Sequence, residues 1–393
     1  MSAATGKSLS PVVSANLSVL QSRIRGMLLG AVVGDCFGTR FCDIGVNALP
    51  MAEVAESLSY RAMAPSLAKL SGGQWLFRQS CNGYMMLNAT KNVLNGGDSA
   101  HLRQSFVDLI NDPDMNHLKW GAGIGSVLHG EVPKSNTLRG NTVMIRTLPA
   151  ALFPDGEYET VFEQMAGAVP THDVAKDRAK CLAEIARNAV RTGVCDLSLI
   201  KDSRTISALQ LATPVNYSEV SMDVQRRLAA RIGNDSMAST ALPIVAFAIK
   251  QGLVGEEVHG ADEDADLGGA TLTPAMLCPD ILNSSNKIDF AEQYYDETEN
   301  ASPTYGQNEM HLILSWAISC GGDTRANACL AGAIAGATYG AEQIPHEWRV
   351  TCEGTKEALR VADRVFEEVY LDNPTLAESI ARSISTPVKA TAE

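Results

Sequence analysis

Asp323 stands in the run Ser319-Cys320-Gly321-Gly322-Asp323-Thr324-Arg325, where two glycines permit a tight turn and the acid is suited to cap the helix that follows. A carboxylate at a helix N-terminus with a guanidinium two residues along can be neutralised through two donors at any physiological pH. Arg325 is therefore a candidate partner for Asp323. Asp35 lies among glycines and apolar residues in RIRGMLLGAVVGDCFG, where a carboxylate needs partners, and its expected task is to satisfy buried donors. Cys81, in Ser80-Cys81-Asn82-Gly83, would be a nucleophile only as a thiolate and otherwise packs as an inert thiol. His172, in Pro170-Thr171-His172-Asp173, is a lone histidine ahead of a helix cap, by itself a structural position. Trp120-Gly121-Ala122-Gly123-Ile124-Gly125 is a weak nucleotide fingerprint, because the spacing is not GxGxxG and no strand clearly precedes it.

These groups have to be positioned by helices. Gly26, Gly30, Gly34 and Gly38 recur every four residues, as do Gly332, Gly336 and Gly340 after Asp323, so each segment presents a nearly bare face to which another backbone can come close. The two helices, at about 22–38 and after Asp323, are expected to pack on each other. A helix from Asp173, its expected N-cap, to about Arg191 carries Val174, Leu182, Ile185 and Val190 on its apolar side and stops at Thr192-Gly193. Further helices are expected at 222–233, 240–251, 309–319 and 355–371, the last striped by Leu359, Ala362, Val365, Phe366 and Val369. No strand alternation appears, and the fold class is all-α.

The chain has 393 residues, 45% hydrophobic and 20% charged, enough to bury a large core, and no internal repeat argues for two domains. A net charge of −13 argues against nucleic acid or an anionic membrane as partners of the whole chain, while leaving room for local anion sites. No apolar run is long enough to span a bilayer. Nine cysteines at irregular spacing, with no CxxC, read as free thiols in a reducing compartment, so a cytoplasmic or nuclear location is expected. The first 22 residues, with Lys7 as their one base and no acid, faintly resemble a mitochondrial transit peptide without its arginines and read as a disordered tail. Residues 255–302 hold twelve acids and one base, Lys287, and read as an exposed acidic insertion. Asp262, Asp264 and Asp266 suggest an EF-hand loop, but the glycine comes one position late and Thr273 stands where the bidentate glutamate belongs. The expected layout is a tail at 1–21, one domain at 22–372 with the insertion, and a second tail at 373–393.

RIRGMLLGAVVGDCFG and SCGGDTRANACLAGAIAGATYGAEQIPHEWRVTCEG resemble the first and last signature blocks of the ADP-ribosylglycohydrolases, especially the branch that removes ADP-ribose from serine and degrades poly(ADP-ribose). WGAGIGSVL, RGNTVMIRTLPAAL, PTHD and STALPIVAFAIKQG match intervening blocks, so the resemblance covers about residues 20–370. It implies a single orthogonal helical domain and an ADP-ribose site lined by Gly121, Gly123, Gly140, Asn141 and His172, with Arg139 where relatives more often place an aromatic beside the adenine. It also implies two magnesium ions held by a Thr-Asp-Asp-Thr block and a Gly-Gly-Asp-Thr-Asp-Thr block.

The chain departs from that pattern. Ser80, Cys81, Asn82 and Gly83 align with the first block, and in the second Asp323 remains while Arg325 and Ala326 replace the next acid and threonine. Cys42, followed by Asp43, stands at the usual glutamate of the covering loop. The expectation is a pseudoenzyme without the dimagnesium site, Asp323 being a residual metal ligand and no cofactor being held. Such a protein would bind ADP-ribose or a related nucleotide through the residual pocket, Arg325 included, or serve by bulk, as crystallins of this superfamily do. The alternative is an active hydrolase with relocated acids, Asp43 or those of the insertion. A third reading makes Cys81 a nucleophile with His172 as its base, should the family fold bring them together.

Overall fold

The computed structural model describes residues 11–42, 48–59, 62–63, 75–118, 120–132, 138–212, 222–233, 235–254, 309–373, 376 and 379. The first half of the chain forms α1 (Pro11–Phe41), α2 (Met51–Leu58), α3 (Cys81–Leu94), α4 (Ser99–Asn111), α5 (Ala122–Leu128), α6 (Thr142–Thr147) and α7 (Asp155–Gly167). Then follow α8 (Asp173–Thr192), α9 (Ser203–Leu209), α10 (Met222–Ile232), α11 (Ala238–Val254), α12 (Glu309–Ser319), α13 (Thr324–Tyr339), α14 (His346–Thr351) and α15 (Thr355–Val365). A π-helical turn, Phe366–Leu371, extends α15. The fold is all-α. No strand occurs among the described residues, where two isolated bridges, Phe77 to Cys352 and Gly140 to Met237, tie loops together.

The centre is the antiparallel pair α1 and α13. A Cβ added to Gly34 would meet the carbonyl carbon of Ala328 at 2.6 Å, and one at Gly38 would meet Arg325 Cα at 2.7 Å; Gly30 faces the Gly332 carbonyl and Gly26 that of Gly336. The two glycine stripes thus lie against each other, backbone on backbone. Each mid-helix glycine costs about 0.5–1 kcal/mol against alanine, which the close approach offsets by letting both helices bury their remaining faces. Met27, Leu28, Leu29, Val32 and Val33 of α1, and Leu330, Ala331 and Ile334 of α13, are buried. α12 is buried from Met310 to Ser319 and packs against α2, α11 and α13, and α8 packs against α6 and α13. Phe37 of α1 meets Phe77 and Trp348 edge-on at 5.0 and 4.9 Å, fixing the loop before α3 and the helix α14 on the same core.

α1 starts at Pro11, inside the stretch expected to be a tail at 1–21. Its apolar period runs back from Ile24 through Leu20 to Leu17, which are buried, and proline is favoured at a first helical position. Residues 1–10, the acidic insertion at 255–302 and most of 373–393 lie outside the described residues.

One buried polar tie joins α1 to α3. Asp35 is fully buried and accepts the Ser80 N–H at 2.6 Å, the Ser80 hydroxyl at 2.6 Å and the Gly83 N–H at 3.1 Å. Loss of water pushes its pKa up to about 6, although the three hydrogen bonds and the Arg325 charge pull the other way. A folded-state value above the unfolded one means that the native state binds the proton more tightly. The associated stability is therefore fully present below about pH 4 and lost as pH rises through about 6.

Two outcomes are expected in chemical denaturation. Gly30→Ala places a methyl group into the Gly332 carbonyl and should cost about 3 kcal/mol, whereas Gly156→Ala, with open space around it, should stay within about 0.5 kcal/mol of wild type. Asp35→Asn can keep the two backbone N–H bonds on its carbonyl oxygen without the charge, its NH2 donating to the Ser80 hydroxyl where the carboxylate accepts from it. Its stability relative to wild type should rise by about 2–3 kcal/mol between pH 4 and 7, and a flat difference would contradict the assignment of burial as the dominant influence on Asp35.

Candidate functional site

Gly321 and Gly322 both adopt left-handed backbone conformations, φ 74° and 72°, and turn the chain from α12 into α13. Asp323 caps α13. Its Oδ1 accepts the Ala326 N–H at 3.4 Å and lies 3.6 Å from Arg325 Nε, while its Oδ2 accepts from Asn141 Nδ2 at 3.1 Å. The Thr324 hydroxyl donates to the Gly38 carbonyl at 2.8 Å, pinning the start of α13 to the end of α1. The Asp323 and Arg325 side chains are 14% and 18% exposed, so the pair is largely removed from water. Burial lowers the Arg325 pKa, but Asp323 above all, then Cys81, Cys42 and Asp35, raise it past its ordinary value. The guanidinium is a fixed charge.

Ser80 caps α3 through its hydroxyl, which accepts the Asn82 N–H at 3.2 Å while donating to Asp35. Cys81, Asn82 and Gly83 are buried in the first turn. Burial pushes the Cys81 thiol up to about 12 against the smaller opposing pull of Arg325, so it is protonated at neutral pH. Cys81 is thus a neutral buried thiol at rest and not a resident thiolate. Cys42 is half-buried at the end of α1, and Asp43 lies outside the described residues.

A second group of expected residues lies at or near a small open cleft, Gly123 and Gly140 in its lining and Asn141 and His172 outside it. Its walls include Gly123, Gly140, Val143, Arg146 and Thr171. Gly121 is the exposed N-cap of α5 and stands outside this lining. His172, next to Thr171, is the N-cap of α8, its Nδ1 accepting the Val174 N–H at 3.2 Å; this corrects the expectation that Asp173 is the cap. An imidazole nitrogen offers the acceptor a cap requires, and Asp173 instead enters the first turn, where its charge suits the helix dipole. Val174 is exposed rather than on the buried side.

The ring's Nε2 lies 3.3 Å from Arg139 Nη2. With Nδ1 accepting, a neutral His172 carries its proton on Nε2, so two donors face each other beside the cleft. The strip Leu138–Asn141 joins the two groups, since the Leu138 carbonyl accepts the His172 N–H and Asn141 reaches Asp323.

Arg146 is the residue that sequence reasoning missed. It is fully buried, donates to the carbonyls of Met165, Ala166 and Val169 and to the Thr171 hydroxyl, and burial lowers its pKa to about 9. It closes the C-terminal end of α7 and stays cationic at neutral pH beside the cleft. A charged residue inside the apolar run TVMIRTLPAAL was the available signal.

The arrangement offers a cleft walled by glycine backbone and Arg146, with the Arg139–His172 pair next to its lining residues, beside a helix-terminus junction whose carboxylates are engaged by protein groups. Among the described residues, no group of three or more His, Cys, Asp or Glu side chains could hold a metal ion, and no helix is long and apolar enough to cross a membrane.

Residues 16–375 match the sequence profile of the ADP-ribosylglycohydrolase family. ADP-ribosylhydrolase ARH3 of Danio rerio is 26% identical over 370 residues, covering 89% of this chain and 91% of that protein. The same enzyme of Mus musculus is 48% identical over a shorter stretch of 64 residues, 16% of this chain and 17% of its own length. A solved structure described as an ADP-ribosylglycohydrolase-related protein complex superposes with a TM-score of 0.51 at 16% identity, covering 89% of this chain and 99% of that one, a likeness of fold. The chain is a member of the ADP-ribosylglycohydrolase family, on the branch of the ARH3 enzymes.

Proposed function

We propose that this family member lacks magnesium-dependent cleavage of ADP-ribosyl bonds and keeps the cleft as a binding site for ADP-ribose or a related nucleotide. The observation that carries the reading is how the two carboxylates at the helix junction are used. Asp35 spends its oxygens on Ser80 and Gly83, and Asp323 spends its own on Ala326, Arg325 and Asn141. Magnesium takes near-octahedral oxygen ligands and is usually anchored by carboxylates. At the aligned positions Ser80, Cys81, Asn82, Arg325 and Ala326 supply a hydroxyl, a neutral thiol, an amide, a cation and a methyl group. That donor set does not fit a magnesium pair.

Three features support the binding half of the reading. Glycine backbone at Gly123 and Gly140 lets a ligand come close to the chain. Arg146 places a buried positive charge in the wall, and Arg139 and His172 set two donors near Thr171, where a phosphate oxygen would satisfy both. The relatives' printed name, ADP-ribosylhydrolase, supplies the ligand class.

Calorimetric titration with ADP-ribose, in millimolar magnesium and again in chelator, should give the same affinity in both. Serine-linked and polymeric substrate should release no ADP-ribose in magnesium. Turnover abolished by chelator and restored by magnesium would refute the reading, and an absence of binding in either buffer would leave a structural role. Arg139→Ala, at an exposed position, should weaken ADP-ribose binding about tenfold with an unchanged melt, a loss of about 1.4 kcal/mol.

A further inference from the structure

We infer that Arg325 is the resident cation of this centre, its guanidinium taking the charge-balancing and positioning place of a divalent metal so that the junction of α1, α3 and α13 is complete without one. The inference deepens the proposed function but needs no nucleotide to be bound.

Three observations meet at this residue. The first is placement. Arg325 follows the N-cap of α13, and its Cα lies where a Cβ on Gly38 would come within 2.7 Å of it, so the last glycine of the α1 stripe is what admits the arginine backbone. The Thr324 hydroxyl on the Gly38 carbonyl then fixes that turn against α1. The second is pairing in a water-poor setting. Nε stands 3.6 Å from Asp323 Oδ1, both side chains are less than one-fifth exposed, and the opposite oxygen of Asp323 is held by Asn141. Removing one member of such a pair leaves the other desolvated and unbalanced.

The third is reach. Arg325 acts on four acidic or thiol groups at the junction: Asp35 and Cys42 of the α1 segment, Cys81 at the start of α3, and Asp323 on its own element. One permanent charge therefore bears on groups from all three helices, which is the electrostatic task of a bound cation. A metal site has to deprotonate its ligands and depends on free metal, whereas a covalently attached guanidinium depends on neither. A thiol and an amide stand at Cys81 and Asn82 where the family resemblance implies acids, and Arg325 itself stands at a third such position, which leaves less negative charge to balance.

A double-mutant cycle on the full chain, read as melting temperature in millimolar magnesium and in chelator, tests this. Wild type should melt at the same temperature in both. Arg325→Met, which keeps much of the aliphatic stem, and Asp323→Asn should each lower the melt by on the order of 5 °C. The double variant should recover most of the loss seen in Arg325→Met, because no charge is left without a partner. A wild type stabilised by magnesium, an unchanged Arg325→Met melt, or losses that simply add would overturn the inference. If Arg325→Met does not fold, the wild-type comparison decides alone, and folding of the double variant where the single fails supports the inference. Since no ADP-ribose enters these measurements, failure of the ligand assignment and failure of the resident cation are told apart.

Discussion

Contact of two backbones along α1 and α13 is the constraint on which the rest depends. Side chains at Gly26, Gly30, Gly34 or Gly38 would collide with main-chain atoms of the opposite helix, so this contact admits little repacking. Main chain against main chain also fixes register. Sliding by one residue would put Ala335 or Ala337 against Gly26, Ala331 or Ala333 against Gly30, Asn327 or Cys329 against Gly34, and Asp323 or Arg325 against Gly38, so the end of α1 is locked onto the start of α13. That lock places Asp35, Gly38, Thr324 and Arg325 at one junction, and the Asp35 tie then brings the first turn of α3 to the same point.

Polar groups at this junction are arranged to satisfy each other. Asp35 takes three donors from the first turn of α3 and its cap and still has its pKa raised, because full loss of water outweighs those hydrogen bonds. Asp323 differs in keeping a little solvent access and a fixed cation beside it. Four neighbouring thiols, Cys36, Cys81, Cys329 and Cys352, are buried, and at Cys36, Cys81 and Cys329 burial raises the pKa, so they behave there as small apolar groups. Both carboxylates of the centre are thus engaged by protein donors, Asp323 by a guanidinium as well.

The cleft follows a different rule. Its wall contains a guanidinium with carbonyl and hydroxyl partners, an arrangement that satisfies hydrogen bonds without cancelling charge. A net positive charge under a glycine-lined surface is a favourable setting for an anionic ligand even in a protein whose overall charge is −13. Local and overall electrostatics are independent here because screening confines the influence of distant surface acids to about a Debye length.

The sequence by itself determined what depends on near neighbours. Four-residue glycine spacing named both members of the central helix pair, apolar period and stop signals located the helices at 173–191, 222–233, 309–319 and 355–371, and the resemblance to the family implied acids at positions 81, 82 and 325 where this chain has Cys, Asn and Arg. The surroundings of Asp35 named its need for donors but not the donors, since Ser80 and Gly83 lie 45 and 48 residues away. Only the tertiary structure decided that α1 begins at Pro11, because the worth of Leu17 and Leu20 as helix anchors depends on the core they enter. Only it assigned the α8 cap to His172, for both that residue and Asp173 carry a suitable acceptor and backbone geometry chooses between them. Arg146 was legible as an anomaly and not as a wall of the cleft, because its partners come from the end of another helix. Periodicity is a property of one element and can be read in one dimension; partners, burial and electrostatic neighbours are properties of contacts between elements, and these exist only after the chain has folded.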